Sequence, residues 1–252
     1  MQVLYSMTRD GKLQQKDAVR RFHRLVEQTY SLFLYNLLVF IRTTAYSRKD
    51  ADLRASKHLP SEEDRCFTSK LFDNELLQSL AKDPDFLAAV DKHKLRGRLG
   101  EDTPRLLYTE FSKKEIYTEY IMLEENTADD HRRILLELYR FMSKSDHFQE
   151  EMEERFSNWV DDHSLVIGAS KRTIKAMPVE AGFLTDNQPE EDAVYNFGEI
   201  LLKRVIIEDE KLLALIEPVL RNWDAERLAV LDMILIKMAI CELMYFPTIP
   251  TK

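Results

Sequence analysis

The chain has 252 residues, 32% of them charged and 44% hydrophobic, which excludes a disordered or fibrous protein and leaves a globular chain of one or two domains. Only 6 Gly and 8 Pro occur, so turns are scarce and long helices are favoured. The net charge of −8 argues against a nucleic-acid partner for the whole, yet residues 1–60 hold 11 Lys+Arg against 5 Asp+Glu, and such a basic arm meets phosphate locally because charges beyond a Debye length of ~8 Å are screened.

In chain order, Val19, Phe22, Leu25, Val26, Tyr30, Phe33, Leu34, Leu37 and Ile41 recur at helical spacing and predict one long helix over 17–46. Its first half carries Lys16, Arg20, Arg21 and Arg24 away from the apolar stripe, either as a binding face or as plain solvated surface. Its second half is apolar nearly all round and belongs inside a bundle. Residues 47–60 are polar and read as a connection or frayed helix end. Ser61 with Asp64 is a capping-box start for a second helix carrying Phe67, Leu71, Leu76, Leu77 and Leu80. Asp83-Pro84 restarts the chain, 97–104 reads as a loop, and Ser112 with Glu115 is expected to open a helix through Leu123. Thr127 with Asp130 caps another through Phe141. Residues 148–177 supply Phe156, Trp159, Val160, Leu165, Val166 and Ile167 as core candidates, with Pro178 as the stop. The stretch 178–192, with two prolines, Gly182 and an acidic tail, is the most linker-like. Beyond it come helices carrying Val194 to Ile206, then Leu212 to Leu220, then a nearly all-apolar helix from Asp224 to about Tyr245 that should be central.

Chemistry-bearing patterns are sparse. There is no GxxxxGK[ST] or GxGxxG phosphate loop, no HExxH, no paired Glu-x-x-His and no GxSxG elbow. His23, His58, His93, His131, His147 and His163 are scattered and read as surface polarity. Glu150, Glu151, Glu153 and Glu154 form one solvated run rather than the opposed pair that acid–base catalysis needs. Cys66 and Cys241 are too few for a disulfide framework or a Cys-based zinc site, suit a reducing cytosol, and read as small core residues. No signal peptide is visible, and the most apolar run, Leu32 to Ile41, is about half of the ~20 residues a bilayer span needs. The expectation is a cytoplasmic all-α protein without catalysis, metal, cofactor or membrane.

The C-terminal sixty residues carry more. Phe197 with Leu201-Leu202, then Trp223, Arg227-Leu228, Asp232 before Ile234-Leu235, Ala239, Glu242-Leu243 and Ile249-Pro250-x-Lys252 resemble the core of the bacterial transcription antitermination factor NusB family. Gln2, Leu4 and Tyr5 at the start resemble that family's first-helix Gln-x-Leu-Tyr element. Two positions depart from the pattern: Arg204 stands at the family's Gly, and Lys237 at its Arg. The resemblance implies a NusB-like bundle core with a large helical expansion of the Bacteroidetes type. It divides the chain into 1–12 as the start of the first helix, 13–178 as expansion, 179–192 as linker and 193–252 as an incomplete C-terminal bundle. The family's Arg-rich leader and last two helices are not found, so the chain looks truncated at both ends.

The resemblance further implies binding of single-stranded boxA-type RNA, jointly with a small-subunit ribosomal protein of the S-ten type, within the antitermination complex of RNA polymerase. RNA of this kind is held by cations on phosphates and aromatics on splayed bases, so Gln2 and Tyr5, with Arg9 and Lys12 nearby, make a small coherent patch. A half-buried first-helix aromatic is the competing reading of Tyr5. Asp232 is the family's acidic position facing the ribosomal protein, with Lys237 beyond it on the same helix; an internal cap or salt bridge competes for Asp232. A helical adaptor working through protein contacts without RNA is the alternative function, carried by acidic, aromatic-rich stretches such as Glu115 to Glu125.

Overall fold

The computed structural model describes residues 1–11, 13–220 and 228–247. Every regular element among them is helical, as expected of the all-α class. The chain divides into two compact units, residues 1–27 with 189–252, and residues 28–188.

The first unit opens with α1 (Gln2–Arg9) and the start of α2 (Gln15–Ala55), which passes into the second unit after Glu27. It closes with a π-helical stretch Asp192–Glu199, α12 (Ile200–Ile207), α13 (Asp209–Ile216) and α14 (Val230–Tyr245). Val3 and Leu4 of α1, Ala18 of α2, Leu201, Leu202 and Val205 of α12, Leu212, Ile234 and Cys241 form one apolar cluster. Only Ile234, Lys237 and Cys241 of α14 are buried, at i, i+3 and i+7. The expectation of a central last helix therefore fails, because Val230, Leu231, Leu235, Leu243 and Met244 remain in solvent. The described helix there runs Val230–Tyr245, and Asp224, the expected start, lies outside the described residues.

The second unit contains the rest of α2, then α3 (Glu62–Cys66), α4 (Lys70–Asp73), α5 (Glu75–Ala81), α6 (Pro84–Lys92), α7 (Asp102–Phe111), α8 (Glu115–Met122), α9 (Ala128–Met142), α10 (Asp146–Arg155) and α11 (Trp159–Ala176). Its axis is α2, where Leu32, Leu34, Tyr35, Asn36, Leu37, Val39 and Phe40 are all fully buried. A helix apolar on every side needs neighbours on every side. Asn36 in that core accepts from the Tyr139 hydroxyl at 2.6 Å, so α2 and α9 are joined by a buried polar contact as well as by packing. Around this axis α9 packs on α5, α8 and α11, and α7 on α10.

Several boundaries differ from the sequence expectation for identifiable reasons. The long helix continues to Ala55 through the polar stretch, its side chains there serving as ion-pair partners: Arg54 holds Asp50 at 3.1 Å. The Ser61–Asp64 capping box forms, but the helix stops at Cys66. Phe67 then turns extended, its ring under the Arg54 guanidinium at 4.1 Å. A fresh start at α5 is capped by buried Asn74, which accepts from the Leu76 and Leu77 amides. Residues 102–104, read as loop, begin α7, with Pro104 in the first turn where its missing N–H costs nothing. Ser112 does not cap α8. Its hydroxyl donates to the Thr109 carbonyl at 3.1 Å instead, and Lys114 is the N-cap residue. The Thr127–Asp130 capping box forms as expected.

Three burial readings are corrected. Val160 and Leu165 lie on the solvent side of α11, opposite Trp159, Val166 and Ile174. Cys66 is exposed, whereas Cys241 is buried. Glu151 is buried, unlike the rest of its acidic run, and His23, His93 and His131 are hydrogen-bonded within their units instead of serving as surface polarity. Among the described residues no helix is long and apolar enough to cross a membrane.

Candidate nucleic-acid interface

The first unit places Gln2, Tyr5 and Arg9 on one face of α1, at i, i+3 and i+7. Val3 and Leu4 point into the core beneath them. The exposed Arg9 donates from Nε and Nη2 to the Tyr5 hydroxyl at 3.1 and 2.9 Å, and its guanidinium lies 5.5 Å from the Tyr5 ring centroid. The arrangement fixes a cation against an aromatic edge at the surface of a short helix. Tyr5 also packs partly against the apolar cluster, as the reading of a half-buried first-helix aromatic has it. Lys12, the fourth member of the expected patch, lies outside the described residues.

At the start of α2, Lys16, Arg20, Arg21 and Arg24 are all exposed, as the helical spacing predicts. Arg20 is held to Asp17 at 2.6 Å, an exposed pair of the kind worth at most about 1 kcal/mol. His23 takes a different direction. Its Nε2 meets the Glu199 carboxylate at 2.6 Å, and its ring lies 4.9 Å from that of Tyr195 at 31°. Lys203 pairs with the same carboxylate and, with His23, holds it below the usual range.

The two residues expected to face a protein partner differ in setting. Asp232 is exposed near the start of α14, where its charge also favours the helix N-terminus. Lys237 is turned inward. Only 11% of its side chain is exposed, and its ammonium donates to Asp209 at 2.6 Å, which compensates the cost of burying the charge. It lines an apolar groove of about 550 Å³ with Leu4 and Met7 of α1, Val205 and Ile206 of α12, and Met233 and Ile234 of α14. Arg204, at the position where the resemblance led to a Gly, sets its guanidinium over the Tyr245 ring at 4.6 Å. Lys211 donates to the Tyr245 hydroxyl at 3.1 Å and pairs with Glu208 at 3.0 Å, so Arg204 fits within a local ionic cluster. Trp223, Arg227, Ile249, Pro250 and Lys252, which belong to the resemblance, lie outside the described residues.

Residues 168–252 match the family model described as NusB family. The C-terminal third of the chain is a NusB family domain. Its match begins inside α11 of the second unit, covers everything in the first unit from Pro189 onward, and does not extend to α1. No curated protein and no solved structure matches the chain. Within this NusB family domain, sequence reasoning singled out Asp232 and Lys237 but missed Tyr195, Glu199 and Lys203. No local pattern could have found the Glu199 contact, since its partner His23 lies 176 residues away in the chain. Among the described residues no group of three or more His, Cys, Asp or Glu is placed to hold a metal ion.

Proposed function

We propose that this protein is a NusB-like transcription antitermination factor, non-enzymatic, that binds single-stranded boxA-type RNA together with a small-subunit ribosomal protein of the S-ten type and thereby modulates termination by RNA polymerase in the cytoplasm. The NusB family domain is the observation that carries this reading. The exposed cations of α1 and α2 support its RNA half, since an acidic chain otherwise repels a polyanion and must meet it at a local basic surface. Exposed Asp232 is suited to a basic ribosomal protein, and Lys237 would act by holding Asp209 and the groove in place.

The test is an anisotropy titration of boxA-type RNA at several salt concentrations. Log affinity should fall against log salt with a slope of about −0.7 per phosphate contact, and Arg9→Gln should reduce that slope by about the same amount. A slope near zero would sink the RNA reading.

A second reading rests on the size of the 28–188 unit, most of which lies outside the family match. In it the second unit is a helical adaptor, and the expansion captures a protein without RNA. It predicts that removing 28–188 abolishes partner capture and leaves RNA affinity unchanged.

A further inference from the structure

We propose that Tyr195 and His23, flanked by Arg20 and Arg24, form a second single-stranded RNA contact in the first unit, a stacking platform for one base with two cations for its phosphates; this rests on the RNA-binding reading above.

The platform starts from a glycine. A β-carbon on Gly198 would stand 2.7 Å from Cζ of Phe22 and 3.2 Å from the Ala193 carbonyl, so a larger residue there would displace the Phe22 ring of α2 and press on the π-helical backbone. Such stretches are rare and are found often at functional sites. Here the close approach carries Tyr195, three residues earlier, onto the imidazole of His23. Glu199, one residue after Gly198, anchors the other edge of that imidazole through Nε2. His23 is thus fixed from two sides before any ligand arrives.

Tyr195 is nevertheless 53% exposed, so a ring backed by the imidazole keeps much of its surface in water. An aromatic surface of this kind accepts any base, because every base has a π-face. Arg20 precedes His23 by three residues, hence on the same side of α2, and Arg24 follows one turn after Arg20; both are exposed. The pairing of Arg20 with Asp17 is between exposed groups, and a phosphate can replace the carboxylate. An acidic peptide would satisfy the cations but leave the ring unused. A nucleotide uses both, and RNA in single-stranded form has unstacked bases to offer.

The experiment uses the full chain and a fluorescein-labelled single-stranded RNA of about ten nucleotides, followed by anisotropy at several salt concentrations. Tyr195→Ala should weaken binding about tenfold, and Tyr195→Phe, which keeps the ring, should stay within about twofold of the parent. The double substitution Arg20→Gln with Arg24→Gln should lower the salt slope by about 1.4, two contacts at 0.7 each. Thermal melts of each variant accompany the titrations. If Tyr5→Ala weakens binding and Tyr195→Ala does not, the second contact is wrong while the RNA reading stands. If the parent chain binds no RNA, both fall. Equal weakening by Tyr195→Ala and Tyr195→Phe would assign the effect to the hydroxyl instead of the ring face and overturn the proposal. So would displacement of the RNA by inorganic polyphosphate equally well from the parent and from Tyr195→Ala, which would mark a surface for anions alone.

Discussion

Glu151 shows how a single side chain can depart from its neighbours. In a run of four glutamates, its carboxylate alone is turned inward, 7% exposed, where it accepts from the Tyr35 hydroxyl, from Thr103 Oγ1 at 3.0 Å and from Arg155 Nε at 3.3 Å. Burial, then the adjacent Glu151, pushes the Tyr35 phenol well above its ordinary range, so this hydroxyl stays a donor at any physiological pH. Truncating the carboxylate would take the acceptor from the Thr103 hydroxyl and the Arg155 guanidinium and leave the Tyr35 hydroxyl only the Arg98 carbonyl at 3.3 Å. Glu151→Ala is therefore expected to cost roughly 3 kcal/mol in urea unfolding, and Glu151→Gln less, since an acceptor remains. The flanking change Glu154→Ala serves as the control and should move the midpoint little, because Glu154 is exposed. The sequence pattern of the run carried no sign of this difference, because the helix period assigns a face only when the partner elements are known.

At the scale of elements, two helix starts were legible in local capping boxes, whereas the local Asn74 cap was missed and the expected Ser112–Glu115 box did not form. The Ser61–Asp64 and Thr127–Asp130 boxes and the Asp83 cap, which accepts from the Phe86 amide at 2.7 Å, need only residues three apart. The end of α8 is different, since the Lys70 ammonium, about fifty positions earlier, donates to the Ile121 and Leu123 carbonyls. Capping also sets an acid dependence. Hydrogen bonds from Lys57 and from the Ser61 amide hold the Asp64 carboxyl at about 2, against an ordinary 3.8. The Tyr46 hydroxyl and then Arg42 hold Glu101 at about 2, against 4.5.

Both groups bind protons more weakly folded than unfolded. The stability they contribute is complete above about pH 4.5 and is lost as pH falls through about 2. The urea midpoint of the parent should drop over that window. The double variant Asp64→Asn with Glu101→Gln should start lower at pH 7 and fall less steeply, the two curves converging near pH 2. Parallel curves would refute the assignment.

For the whole molecule, the division into two units assigns most of the apolar core to residues 28–188, where one cluster gathers Leu32 to Leu184 around α2. A fragment of residues 28–188 is expected to fold by itself with one cooperative thermal transition by circular dichroism. A broad, non-cooperative melt would show that its core depends on the first unit. One apolar side of α14 is exposed. Composition predicts a buried helix, whereas the described neighbours cover only the Ile234, Lys237, Cys241 stripe.

The all-α class, the long basic-then-apolar helix, the local caps and the NusB resemblance of the C-terminal segment all came from residues close together in the chain. Periodicity, capping distances and family patterns act over a few turns, so a linear reading detects them. Tertiary structure alone decided that Glu151 is buried, that Lys237 is committed to Asp209, and that His23 meets Glu199 and Tyr195 across 172 to 176 positions. Each of these depends on which distant surface supplies the missing hydrogen bond or apolar cover, and packing settles that choice after the local elements have formed.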